Sequence, residues 1–170
     1  MSQARVYVSF DIEHDRELFE RLLAESERSS FSVQGRSEFE AGFAADAWAN
    51  RVRRRIREAD EMIVICGEHA EASQCMSAEL RIAREEHTPY FLLWGRRGSM
   101  CTKPIGAKSD EGMYKWTREI VEDQVAIALR RTRAPATAAP SGNQKSPPGR
   151  IKRNRSRRNE PPGAAIYVAR

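Results

Sequence analysis

The sequence predicts an α/β protein: an open parallel sheet of four to five strands with flanking helices. Three observations lead there. VYVSF (6–10), MIVIC (62–66) and YFLLW (90–94) are short runs that are apolar at nearly every position. Strands of that kind are buried on both faces, which is the habit of a parallel sheet. Between the runs lie stretches with apolar residues three and four apart, the spacing of a helix face. The alternation of the two patterns is that of parallel strands joined by helical crossovers.

In chain order, VYVSF is the first strand. Leu18, Phe19, Leu22 and Leu23 then mark one helix face, and FSV (31–33) is a shorter, weaker strand. Trp48, Val52, Ile56 and Ala59 mark the second helix, with the arginines of RVRRRIRE turned outward. MIVIC is the third strand, Met76, Leu80 and Ala83 face inward from the third helix, and YFLLW is the fourth strand. A loop follows, and Met113, Trp116, Thr117, Ile120 and Ile127 mark a last helix fading after Arg133. Ligands of such sheets bind outside the carboxyl ends of the strands. Those ends are Ser9-Phe10-Asp11, Gln34-Gly35-Arg36, Cys66-Gly67-Glu68 and Trp94-Gly95-Arg96.

The net charge of +5 is unevenly spread over the 170 residues. From Ala134 to Arg170 there are eight basic residues and one acid (+7), which leaves 21 basic and 23 acidic residues (−2) in the rest. The chain therefore divides into a near-neutral domain, 1–133, and a basic tail rich in Pro, Ala and Arg, 134–170. The tail has too little apolar surface to offset its ordering entropy, so disorder is expected there. Its RIKRNRSRR block reads as a solvated extension more than as a nucleic-acid contact. No apolar run approaches the roughly 20 residues of a membrane span, and an early Asp interrupts any signal-peptide core. Three cysteines without CxxC spacing argue against a disulfide framework or a zinc site and suit a reducing cytoplasm.

Several chemistries are excluded. GxGxxG and Walker loops are absent. The third strand ends Ile65-Cys66-Gly67 with no Asp, which removes a receiver-type phosphoacceptor, and Ser9 has no GxSxG elbow around it. His14, His69 and His87 are far apart in sequence and read as surface residues, although DIEHD (11–15) is notably acidic. Cys75 lies near a helix N-terminus, where thiols are activated, but no His is placed in sequence to pair with it. Glu79 is the unusual residue. Its helical neighbours at three and four positions are Cys75, Met76, Ile82 and Ala83. A carboxylate amid that set is either a boundary residue or one placed for work.

A family resemblance bears on that choice. VYVSFDIEHD resembles the first strand and following loop of Toll/interleukin-1 receptor (TIR) domains. SQCMSAELRIA (73–83) is similar to the TIR helix carrying Ser-x-x-x-x-x-Glu-Leu after a buried strand. The loop RSEFEAGFAADA (36–47) stands where the family has its BB loop, and KPIGAKSDEGMYKWTREI (103–120) resembles the last loop and helix of the bacterial Thoeris ThsB-like group. The resemblance spans Arg5 to Arg133. It implies a flavodoxin-like fold and, in many bacterial members, cleavage of the nicotinamide–ribose bond of NAD. NAD would be a substrate, with no cofactor or metal needed. A cyclic ADP-ribose-type product would then signal to a separate effector in antiviral defence. Glu79 matches the catalytic Glu; Phe10, Asp11, Cys75 and Trp48 would border the substrate. Cys75 and Met76 depart from the Trp and Cys of many members. The alternative is a non-catalytic adaptor that self-associates through the 36–47 loop and an arginine face of Arg51, Arg53 and Arg54.

Overall fold

In a computed structural model of the 170-residue chain, residues 3–35 and 45–133 are described. The proposed tail and most of the 36–47 loop lie outside the described residues.

Five strands form one sheet, in the order β2-β1-β3-β4-β5, with every pairing parallel. They are β1 (Ala4–Ser9), β2 (Phe31–Gly35), β3 (Glu61–Cys66), β4 (Tyr90–Trp94) and β5 (Met113–Lys115). The helices are α1 (Arg16–Ser26), α2 (Ala45–Glu58), α3 (Gln74–Glu85) and α4 (Arg118–Arg133). Val6 pairs with Val33 on one side and Glu61 on the other, so β1 sits inside the sheet. The chain moves outward from β1 to β2, then returns past β1 to β3. Loops after β1 and β3 diverge to opposite faces at that reversal and leave a crevice between them.

Strand alternation divides the interior into two cores. Val6, Val8, Ile63, Ile65, Phe91 and Leu93 pack with Leu18 and Leu22 of α1 and Val121 and Val125 of α4. On the other face Tyr7, Met62, Val64, Cys66 and Leu92 pack with Val52 and Ile56 of α2 and Met76, Leu80 and Ala83 of α3. Each face buries its apolar residues, which explains why β3 reads as an unbroken apolar run. All six residues of β3 are buried, Glu61 among them.

The last segment differs from the sequence expectation. Met113 opens a short fifth strand paired to Leu92, and α4 begins only at Arg118. Thr117 explains the start, because its hydroxyl accepts the Ile120 amide at 3.3 Å and satisfies one of the orphan donors of the first turn. The α2 arginines also depart from a purely outward face. Arg53 bonds Glu85 at 2.7 Å and Glu86 at 2.8 Å, and Arg57 bonds Glu86 at 2.7 Å, tying α2 to α3. The helix α3 closes in a Schellman turn with His87, not Gly, at φ 57°; Thr88 N donates to Ala83 O at 2.9 Å.

Candidate functional site

The crevice at the carboxyl ends of β1 and β3 holds most of the polar groups the sequence nominated. On β1 the odd positions Tyr7 and Ser9 face α3. Both hydroxyls donate to Glu79, Tyr7 Oη to Oε1 at 3.0 Å and Ser9 Oγ to Oε2 at 2.5 Å. Glu79 is 1% exposed, so the boundary position expected from its neighbours becomes an interior one. The reason lies in the helix: Met76, Glu79, Leu80 and Ala83 share the buried stripe of α3. A carboxylate placed there requires donors, and Tyr7 and Ser9 supply them from the buried part of β1.

Asp11 and Cys75 meet at a cleft of about 250 Å³, together with Ile12, His14, His69 and Ser73. Cys75 lies one helical turn before Glu79 on α3. Asp11 Oδ1 accepts the Glu13 amide at 3.0 Å, and Oδ2 meets His14 Nδ1 at 3.0 Å. The Asp11 hydrogen bond raises the imidazole pKa of His14 above its ordinary value. Trp48 is half-buried against the α2–α3 core and is not on this cleft. Phe10 is 3% exposed and stacks on Phe19 with centroids 4.6 Å apart. Its ring packs among the residues on the α1 side of the sheet.

The histidines are exposed, as the sequence reading has them, but two of them are neighbours in space. His14 and His69, 55 positions apart, bring their rings to 4.2 Å between centroids. The loops that carry them leave neighbouring strands, β1 and β3, on the same edge of the sheet. They also border a second cleft of about 230 Å³ with Asp15, Glu68 and Arg96. Asp15 is 1% exposed; Oδ1 accepts from Arg96 Nη2 at 3.1 Å, while Oδ2 has no hydrogen-bond partner among the described residues. Burial raises its pKa against the opposing pull of Arg96. The carboxylate sits so close to Gly67 that a Cβ there would lie 1.9 Å from Oδ2. Cys66, next to Gly67, is pushed up to about 12 by burial and is inert as a nucleophile.

Of the residues nominated from the sequence, Glu79, Asp11 and Cys75 lie about this crevice. Tyr7 and Asp15 are not singled out there, and Ser9 and Arg96 appear only at strand ends, with Ser9 also set aside as a nucleophile. A usable signal existed for two of these. Tyr7 and Ser9 are polar-tipped residues two apart on a buried strand, hence on one face, and each needs an interior partner.

The chain can now be set beside solved structures. It superposes on the TIR domain of the Toll-related receptor TRR-2 from Hydra magnipapillata at TM-score 0.50 and 14% identity, covering 75% of this chain and 95% of that one. The chain has the TIR fold. The CMP N-glycosidase BcmB of Clostridium botulinum aligns at TM-score 0.46 and 16% identity, over 72% of this chain and 98% of that one. A prokaryotic SEFIR domain aligns at 0.45 and 18%, over 76% of this chain and 97% of that one. No protein-family profile and no curated protein sequence matches this chain. Among the described residues of this TIR fold, no helix is long and apolar enough to cross a membrane.

Proposed function

We propose that this TIR-fold protein is an NAD-processing enzyme of bacterial anti-phage defence, cytoplasmic and ThsB-like, with Glu79 as its catalytic carboxylate. The observation supporting this is the Glu79 carboxylate, held by two hydroxyl donors beside the β1–β3 crevice of a TIR fold. In the reaction the bond between ribose C1′ and the nicotinamide nitrogen breaks, and its electron pair leaves with nicotinamide. The sugar is left as an oxocarbenium-like cation, which a nearby anion stabilises. Water capture gives ADP-ribose with release of a proton; capture by a nucleophile within the same molecule gives a cyclic product. That product would reach a separate effector. No cofactor or metal enters this scheme.

Substrate hydroxyls are the groups that would replace Tyr7 and Ser9 on Glu79. The cleft at Asp11 and Cys75, about 250 Å³, falls below the ~300–1,000 Å³ usual for small-molecule sites. It suits one end of a dinucleotide, with Asp11 and Cys75 against it. In the Glu79→Gln protein, nicotinamide release from NAD falls at least ~100-fold while circular dichroism is unchanged. The assay is chromatography of products, with and without lysate from infected cells as trigger. Full activity in that variant would sink the mechanism.

One observation favours a second reading. A Glu that is 1% exposed and hydrogen-bonded twice is also what a structural clamp between α3 and β1 looks like. The protein would then be a non-catalytic adaptor working by TIR–TIR assembly. Wild-type protein that releases no nicotinamide under any trigger, yet changes oligomeric state with concentration in light scattering, supports this second reading.

A further inference from the structure

The carboxyl ends of β4 and β5 carry a second pocket. Trp94 closes β4 and Lys115 closes β5, and the two are register partners in adjacent strands. The chain beyond each strand adds the other walls, Arg97 and Gly98 after Trp94 and Trp116 after Lys115. Gly98 turns the chain there at φ 81°, in the left-handed region that suits glycine. These five residues line a pocket of about 420 Å³, within the ~300–1,000 Å³ usual for small-molecule sites. It shares no lining residue with the two clefts beside β1.

The indoles offer a ligand carbon surface and no donor. Trp94 Nε1 donates to Arg96 O at 2.7 Å, which uses its N–H and holds the ring. Trp116 Nε1 donates to Glu25 Oε2 at 2.9 Å, and the Arg21 guanidinium lies over its ring, 4.4 Å from the centroid. Trp116 is therefore engaged within the protein, whereas Trp94 is 37% exposed. The charge on the walls has one sign. Arg97 and Lys115 are exposed, and no acidic side chain lines the pocket. Neither side-chain cation has an ion pair or hydrogen bond among the described residues.

These walls limit what fits. An exposed indole attracts flat rings, and it attracts cations as well. Two neighbouring positive charges remove the second option and favour an anion. Arg97 adds a planar fork that can meet a carboxylate or a phosphate at two points. An aliphatic anion would satisfy the charge and forgo the stacking. We infer that the β4–β5 pocket binds a small aromatic anion, a flat ring carrying a carboxylate or a phosphate, with the ring against Trp94 and the acid on Arg97 and Lys115. The inference is independent of any NAD chemistry at Glu79.

The test uses the full-length chain with indole-3-acetate and phenyl phosphate as the two aromatic anions. Indole, acetate and inorganic phosphate each carry half of the chemistry, and tryptamine carries the wrong charge. Binding is read by calorimetry. At least one aromatic anion binds with Kd on the order of 1 mM or tighter, and the tighter of the two tells carboxylate from phosphate. Its affinity falls ~10-fold or more in Arg97→Ala/Lys115→Ala and ~3-fold or more in Trp94→Ala. Both cations are surface residues, so the double variant keeps the comparison available if Trp94→Ala folds poorly. Three results would each overturn the inference: neither aromatic anion binding at ~10 mM, a half-probe or tryptamine binding as tightly as the better aromatic anion, or undiminished affinity in the double variant.

Discussion

Two buried glutamates, Glu79 on α3 and Glu61 on β3, have opposite environments. Glu79, near the carboxyl ends of the strands, is 1% exposed and receives two hydroxyl donors. Glu61, at the amino ends, is 4% exposed and its Oε2 has no hydrogen-bond partner among the described residues. Burial alone therefore does not define a site. A satisfied carboxylate is part of the architecture until a substrate competes for its donors. An unsatisfied one carries a standing cost that only a ligand or a proton relieves. The structure takes the second route for Glu61, since burial raises its pKa to about 8 and keeps its proton on near neutrality.

The largest test of this contrast is the pH dependence of stability. Glu61 titrates at about 8 in the folded protein against an ordinary 4.5. The folded state then holds a proton that the unfolded chain releases. Its stabilising contribution is complete below pH 4.5 and is lost as pH rises through 8. The loss is on the order of 4 kcal/mol across that window. Urea denaturation from pH 4.5 to 9 should show the decline in wild type and a much flatter profile in Glu61→Gln. Identical profiles would mean that Glu61 is not protonated in the fold.

Replacing each glutamate by leucine sharpens the same point. Glu79→Leu strands the Tyr7 and Ser9 hydroxyls and should destabilise by about 2–3 kcal/mol. Glu61→Leu removes an unpartnered group and should be neutral or stabilising at pH 8. Equal losses in both variants would dissolve the distinction.

A smaller effect is expected at Gly67, beside Asp15. Gly67→Ala drives a methyl into the Asp15 carboxylate and should cost about 1–3 kcal/mol. The double variant Asp15→Ala/Gly67→Ala should recover part of that loss, seen as non-additivity in thermal melts. The smallest effect belongs to the surface clamp between α2 and α3. Arg57 and Arg53 lower the pKa of Glu86 to about 2, so its contribution is present above pH 4.5 and disappears as pH falls through 2. Screening keeps it small at ordinary ionic strength. Glu86→Gln should shift the acid end of the melting profile and leave the neutral region unchanged.

The fold was legible because its strands are buried on both faces and its helices on one, leaving two separate periodicities in the sequence. Four strands and four helices follow from those patterns. Met113–Lys115 escaped because a three-residue edge strand with one half-buried and two exposed residues has no apolar signature. Glu79 stood out by its apolar neighbours, and the resemblance of 73–83 to a TIR helix gave it a role. Its depth was not legible, since a Glu three positions from Met76 fits the edge of a helical stripe as well as its middle. The pairing of His14 with His69 depends on β1 lying next to β3, a tertiary fact with no local trace. Glu61 was hidden for a similar reason: it precedes MIVIC and reads as the polar end of a strand.

The chain separations of the Glu79 hydrogen bonds set the order in which this region can form. Tyr7 and Ser9 lie 72 and 70 residues before their acceptor, and β1 also waits for β3 to complete its second edge. Contacts that distant form late and slowly, after loop closure has been overcome. During synthesis the first strand leaves the ribosome seconds before α3 exists, at about 5–20 residues per second. A half-made chain thus displays two hydroxyls and an open strand edge whose partners have yet to be translated. The corner of the molecule that holds Glu79 is therefore among the last to set, and φ-values for Tyr7→Phe and Ser9→Ala should lie near zero.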